Sequence, residues 1–277
     1  MEGVRIKFSP FLLLLTLMQT CFIPYVNSQT PTHSVFVEIF SSTWAEPCRN
    51  EQSIIQQLTE NSSHIAHFVV YHLQDIWSTT NGVERATELN IHFVPSHTYD
   101  GGFSKSSGSI INASEIELQA SRNVHLIELT VTKAINGTLL SSQVFVAERN
   151  GYSFRGQVIA YVIENNMIHN GTRWDSVYRA QILGQGIFLK PNSYEIISGN
   201  WSIPNHVKAN DIEIIAVVFD KTTTGQYGPY AIQSASCQDS ELAISEFNNW
   251  LPLLITSTIL ITLLMSKRIK VRQDLIS

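Results

Sequence analysis

From residue 125 onward the chain is a succession of short segments with a period of two, separated by turn signals, and this limits it to a β architecture there. His125-Leu-Ile-Glu-Leu-Thr-Val-Thr132 alternates apolar and polar side chains, the pattern of a strand with one buried face. Asn136-Gly137 follows, a strong hairpin signal because both central residues of such a turn favour positive φ. Leu139 to Glu148 reads as the return strand, with a second turn at Asn150-Gly151. Gln157 to Glu164, Ser193 to Ser198, Ile212 to Phe219 and Tyr230 to Ala235 complete at least six strands. Short strands with frequent turns predict an all-β sandwich domain over residues 125–240.

The two ends of the chain have a different composition. Arg5 and Lys7 precede the apolar run Phe11 to Met18, and Val26-Asn27-Ser28 supplies small residues. Residues 1–28 therefore read as a secretory signal peptide. Trp250 to Met265 carries no charge, and Lys267, Arg268, Lys270 and Arg272 follow at once. Sixteen residues span about 24 Å as a helix against a ~30 Å hydrocarbon core, and the uncharged Phe247 to Asn249 lengthen the run. The expectation is a juxtamembrane linker at 241–249, one transmembrane helix at 250–266 and a cytoplasmic tail at 267–277. The chain would then be a single-pass protein of the cell membrane or a secretory-pathway membrane, its bulk extracellular or luminal and its membrane partner held by that anchor.

Only 15% of the residues are charged, against roughly a quarter in an average soluble domain. The end segments hide part of the balance. Residues 1–28 hold two Lys/Arg and one acid, and residues 266–277 hold four and one, so 29–265 carry twelve cations against twenty-one acids. A net charge of −9 there, and −5 overall, excludes a general nucleic-acid binder, which needs a basic face. Five Asn-x-Ser/Thr sequons, at Asn61, Asn112, Asn136, Asn170 and Asn200, are glycosylation candidates that fit an exported chain.

Residues 29–124 alternate element types. Ser34 to Phe40 and His64 to Leu73 have the β-branched and aromatic content of strands. Ile54, Ile55 and Leu58 place one apolar face on a helix from Arg49 to Leu58, with Pro47 in its first turn. A short helix at Val83 to Leu89, a hairpin around Asp100-Gly101-Gly102 and a closing helix from Ser114 to Asn123, with Ser114 as N-cap, complete an α/β layer.

In this part the chain resembles the thioredoxin superfamily. Trp44-Ala45-Glu46-Pro47-Cys48 stands where the family has Trp-Cys-Gly-Pro-Cys, and Val94-Pro95 follows about fifty residues on, then Asp100-Gly101. The resemblance implies a thioredoxin-like α/β fold with a cis proline facing the site. Further on, Asp175-Ser176-Val177-Tyr178-Arg179, Gly184, Trp201 and Ile214 to Asp220 resemble the sandwich of the twenty-eight-kilodalton outer-membrane-protein family. That family places its sandwich directly after a thioredoxin-like domain.

Ala45 occupies the position of the attacking cysteine, so the ordinary two-cysteine cycle is absent. Cys48 falls at the resolving position and is the one catalytic candidate, for monothiol exchange. Glu38 lies one residue away from the spacing of the family's buried acid and stays unassigned. With Cys21 removed, Cys48 and Cys237 are a possible disulfide in an oxidising compartment. His64 and His67, three apart on a strand, point to opposite faces, which argues against a metal site. His97 reads as a polar residue at the edge of the groove. No phosphate loop or nucleophile elbow occurs, so neither cofactor nor metal is expected. The favoured reading is a redox-degenerate, non-catalytic protein- or peptide-binding module whose groove is formed by Trp44, Glu46, Pro47, Val94 and Pro95. The alternatives are monothiol exchange through Cys48 and a cell-surface structural or adhesion module.

Overall fold

The computed structural model describes residues 31–61 and 65–237. Its first strand, β1 (Val35–Ser41), is buried along its whole length, as is its parallel neighbour β2 (Ala66–His72). Between them runs α1 (Glu46–Asn61). Then come α2 (Thr80–Glu88), the hairpin β3 (Ser96–Tyr99) and β4 (Ser104–Ser107), and α3 (Ala113–Ala120). Asn112, not Ser114, caps α3: its side chain accepts from the Glu115 amide at 3.0 Å.

The rest of the described chain is β apart from a 3-10 turn at Ala209–Asp211. It comprises β5 (Ile127–Asn136), β6 (Leu139–Glu148), β7 (Phe154–Glu164), β8 (Met167–His169), β9 (Thr172–Trp174), β10 (Val177–Leu189), β11 (Tyr194–Ser202), β12 (Ile212–Asp220) and β13 (Tyr230–Ser236). Eight strands form one sheet in the order β13-β12-β7-β10-β2-β1-β3-β4. A three-stranded sheet, β11-β6-β5, and the β8-β9 hairpin stand beside it.

Along much of its central strands both faces of the large sheet are buried, and period two sorts their residues. Val158, Ala160 and Val162 of β7, with Ile212, Ile214, Ala216 and Val218 of β12, pack against Leu129, Val131, Val144 and Val146 of the smaller sheet. Tyr161, Ile163, Ile215, Val217 and Phe219 point the other way and meet Phe36, Phe40, Val69 and Tyr71. That double burial explains why β12 reads as a continuous apolar run. On β1 the sorting is between Phe36 and Phe40, on that aromatic side, and Val35, Val37 and Ile39, which pack on Ile55 of α1 and Ile116 of α3.

The sheet curls until β13 returns to β1 and β3. The Ala231 amide donates to the Asp100 carbonyl at 2.9 Å, and the Ser234 hydroxyl donates to the Ser34 carbonyl at 2.9 Å. Asp100 is buried in a left-handed turn (φ 50°). Its carboxylate accepts from Arg122 at 2.8 Å and from the Phe36 amide at 3.0 Å, and bonds His33 at 2.9 Å. Gly101 and Gly102 have φ of 73° and 99°, and a Cβ there would lie 2.7 Å from Phe219 and Leu89 respectively. The turn thus needs glycine on both counts.

This architecture corrects the sequence expectation. The molecule is mostly β, with thirteen strands and three α-helices among the described residues. No separate thioredoxin-like α/β domain stands in front of a sandwich: β1–β4 are one half of a sheet whose other half is β7, β10, β12 and β13. The sandwich expectation holds in part, in the layer of β11-β6-β5 over that sheet. The single-pass membrane placement finds no counterpart, because no helix among the described residues is long and apolar enough to cross a membrane. The expected signal peptide at 1–28, linker at 241–249, span at 250–266 and tail at 267–277 lie outside the described residues.

Candidate functional site

β1 hands the chain to α1 through Ser42-Thr43-Trp44-Ala45, and a buried carboxylate fixes that turn. Asp75 accepts from the Thr43 amide at 2.7 Å, from the Trp77 amide at 2.9 Å, and bonds His72 Nδ1 at 2.6 Å. Burial pushes the Asp75 carboxyl up, but the hydrogen bonds from His72, Thr43 and Trp77 outweigh it and hold it below the usual carboxylate range. Arg49, one turn into α1, donates to the carbonyls of Thr43 and Trp44, each at 3.1 Å. The loop is therefore rigid, and it leaves the Trp44 ring 60% exposed.

Cys48 lies behind that loop with no exposure. It packs with Ala45, Trp174 and Val177, and Trp77, Val94 and Met167 close the cluster. Burial pushes its thiol up, against hydrogen bonds with Ser41 and Ser42, while Glu51 and Asp75 push it further. A neutral, enclosed thiol is a poor nucleophile. The cover comes from the β8-β9 hairpin, whose Trp174 stacks edge-on with His72 at 4.9 Å and Trp77 at 5.9 Å.

The possible disulfide is not formed. Cys48 and Cys237 do not bridge, because they belong to different clusters, Cys237 lying between the two sheets, where it receives the Ile214 amide at 3.4 Å. His97 is not an edge residue either: it is buried and bonds Glu51 at 2.7 Å. Among the described residues no group of His, Cys, Asp and Glu could hold a metal ion. Glu38, unassigned from the sequence, is buried and receives Arg85 at 2.7 and 2.9 Å and Thr98 at 3.1 Å. Asn112, Asn136, Asn170 and Asn200 are exposed; the side chain of Asn61 lies outside the described set.

Of the expected groove residues, the structure brings together two. A cleft of about 280 Å³ is lined by Trp44, Leu73, Gln74, Ile91, His92, Phe93 and Val94. Glu46 and Pro47 are exposed on the first turn of α1, outside the cleft lining, and Pro95 is buried behind Val94 in a cis peptide. Phe93, 70% exposed, is the wall that sequence reasoning missed. Its signal was an aromatic set directly before Val94-Pro95. On either side of Val94 the backbone is engaged: the Phe93 carbonyl accepts from Ser96 Oγ at 2.7 Å and the Pro95 carbonyl from the Gly108 amide at 2.9 Å.

No protein-family model matches the chain, and no curated protein matches it. Among solved structures it is similar to HBP35 of Porphyromonas gingivalis, with a TM-score of 0.58 at 15% identity over 74% of each chain. It is also similar to protein AGR_C_4864 of Agrobacterium tumefaciens, with a TM-score of 0.51 at 10% identity, over 74% of this chain and 93% of that one. At such identities the likeness is one of fold. It is this mostly-β fold that replaces both family resemblances drawn from the sequence, the thioredoxin superfamily and the outer-membrane-protein sandwich.

Proposed function

We propose that the protein is a non-catalytic binder of extended polypeptide, and that it captures apolar side chains in the cleft between Trp44 and Phe93. The observation that carries this reading is the pair of large aromatic side chains left 60% and 70% exposed in the lining of one cleft. Exposed aromatics cost solvation free energy unless a partner covers them, and such residues dominate binding interfaces. The cleft volume, about 280 Å³, suits one or two side chains of a peptide rather than a folded surface. An extended segment laid across the cleft would also pass Val94, next to the chain reversal that leads into β3. The enclosed Cys48 thiol supports binding over exchange chemistry.

The test is fluorescence anisotropy with labelled, unstructured peptides that carry apolar residues at alternate positions. Binding is expected, with a loss of about tenfold or more for Trp44→Ala and for Phe93→Ala. Equal affinity of both variants and the parent chain would remove the proposal.

A further inference from the structure

A second, larger cavity opens on the aromatic side of the curled sheet and shares no lining residue with the Trp44 cleft. Its volume is about 430 Å³, within the ~300–1,000 Å³ range of small-molecule sites. The floor is formed by Tyr71 of β2, Tyr161 of β7 and Tyr178 of β10, the walls by α2 and by the segment from Gln226 to Pro229.

Three features define what it can hold. First, the tyrosine rings are consumed in the core: Phe36 stacks on Tyr161 at 5.3 Å, Phe40 on Tyr71 at 5.3 Å, and Tyr71 meets Tyr178 at 4.8 Å. What they offer the cavity is hydroxyls. All three residues line the cavity. Burial keeps all three protonated, so each can donate. Second, Asn81, Gln157, Gln181 and Gln226 add carboxamides, each with two donors and an acceptor. Third, the one cation in the lining, Arg85, is already held by the buried Glu38 and by Glu88, while Glu84 adds a further carboxylate.

An anion would meet an excess of carboxylate and a guanidinium already spoken for. A simple cation offers no hydrogen-bond acceptor, and would leave the phenol and amide N–H and O–H protons without acceptors, a costly outcome in a recess. A ligand whose groups both donate and accept can satisfy the whole set. We propose that this cavity binds a neutral, multiply hydroxylated small molecule of the mono- or disaccharide class. The flanking apolar surface of Ile159, Leu89 and Phe219 suits the C–H faces of such a ring.

The experiment is titration of the full chain, by calorimetry and ligand-observed NMR, with neutral hexoses, an N-acetylhexosamine and their disaccharides, alongside choline and inorganic phosphate. At least one sugar is expected to bind while choline and phosphate do not. Tyr178→Phe, which keeps the ring, and Gln181→Ala, on the exposed rim, should each weaken that sugar by about five- to tenfold. Trp44→Ala should leave it unchanged, which separates this site from the peptide cleft. The proposal is overturned if no sugar in the panel binds, if choline or phosphate takes the site instead, or if sugar binding survives both substitutions.

Discussion

Val177 of β10 pairs in parallel with Val70 of β2, and the Val70 amide donates to the Ser176 carbonyl at 2.8 Å. That short junction joins the two halves of the eight-stranded sheet. It also sets the β8-β9 hairpin, just upstream of β10, against α1, so that Trp174 seals Cys48. The same junction brings Tyr178 beside Tyr71, which makes the floor of the larger cavity. One inter-strand contact thus closes the thiol and opens a recess.

The seal on Cys48 predicts its chemistry. In native protein Cys48 should resist thiol reagents and react fully only after unfolding. Trp174→Ala removes a fully buried indole and should cost about 3–5 kcal/mol. In that variant, peptide mapping after mild labelling should find Cys48 modified well before Cys237. Rapid labelling of Cys48 in the parent chain would show that the hairpin does not close the site.

The Glu38–Arg85 pair predicts an asymmetry in stability. Glu38 is fully buried and Arg85 is mostly so. Arg85→Leu alone leaves a buried carboxylate unpaired and should cost about 3–5 kcal/mol, whereas Glu38→Gln with Arg85→Leu should recover much of it. Urea denaturation of the single and double variants measures both, and an Arg85→Leu cost under about 1 kcal/mol would mean that the pair is solvated.

The tyrosine floor predicts alkaline sensitivity. Burial pushes Tyr71, Tyr161 and Tyr178 above the usual phenol range, Tyr178 to about 12. A raised native pKa means that the unfolded chain loses its protons first. The contribution is therefore complete below about pH 10 and is lost as pH rises beyond it. Phenolate absorbance from these residues should appear together with unfolding, not before it. Tyr178→Phe should blunt the loss.

Glu148 predicts the opposite edge. Burial raises its carboxyl, but amides of Asn192 and Asn150 and the His125 ring outweigh that and hold it at about 2. The Asn192 amide donates at 2.8 Å and that of Gly151 at 3.0 Å, fastening the β6-β7 turn to the start of β11. A depressed native pKa gives stability that is present above the ordinary glutamate value and is lost as pH falls toward 2. Glu148→Gln should lower thermal stability at pH 7 and narrow the gap between the variant and the parent near pH 2.

Much of this fold is written locally. The alternation in β5 and β6 and the Asn136-Gly137 turn translate directly into a paired hairpin with Ile127 opposite Glu148 and Asn136 opposite Leu139. β10 is harder to read, because register shifts between Tyr178 and Ala180 and between Gln181 and Leu183 break its period of two. Yet β10 is the strand that turns two expected domains into one sheet. The burial of His97 depends on Glu51, 46 residues earlier, and nothing local to His97 signals it. The cleft was half legible, since Trp44 and Val94 belong to motifs, while Phe93 needed the fold to bring it into the same cleft as Trp44. The larger cavity draws on residues from Tyr71 to Pro229, a set that no spacing rule gathers.

The most direct test of the binding account is amide hydrogen exchange on the full chain with and without a saturating apolar, extended peptide. Protection confined to the segment around Trp44, to Leu73 and Gln74, and to Ile91 through Val94 is the predicted result. Protection on the β11-β6-β5 sheet instead, or no protection anywhere, would contradict it.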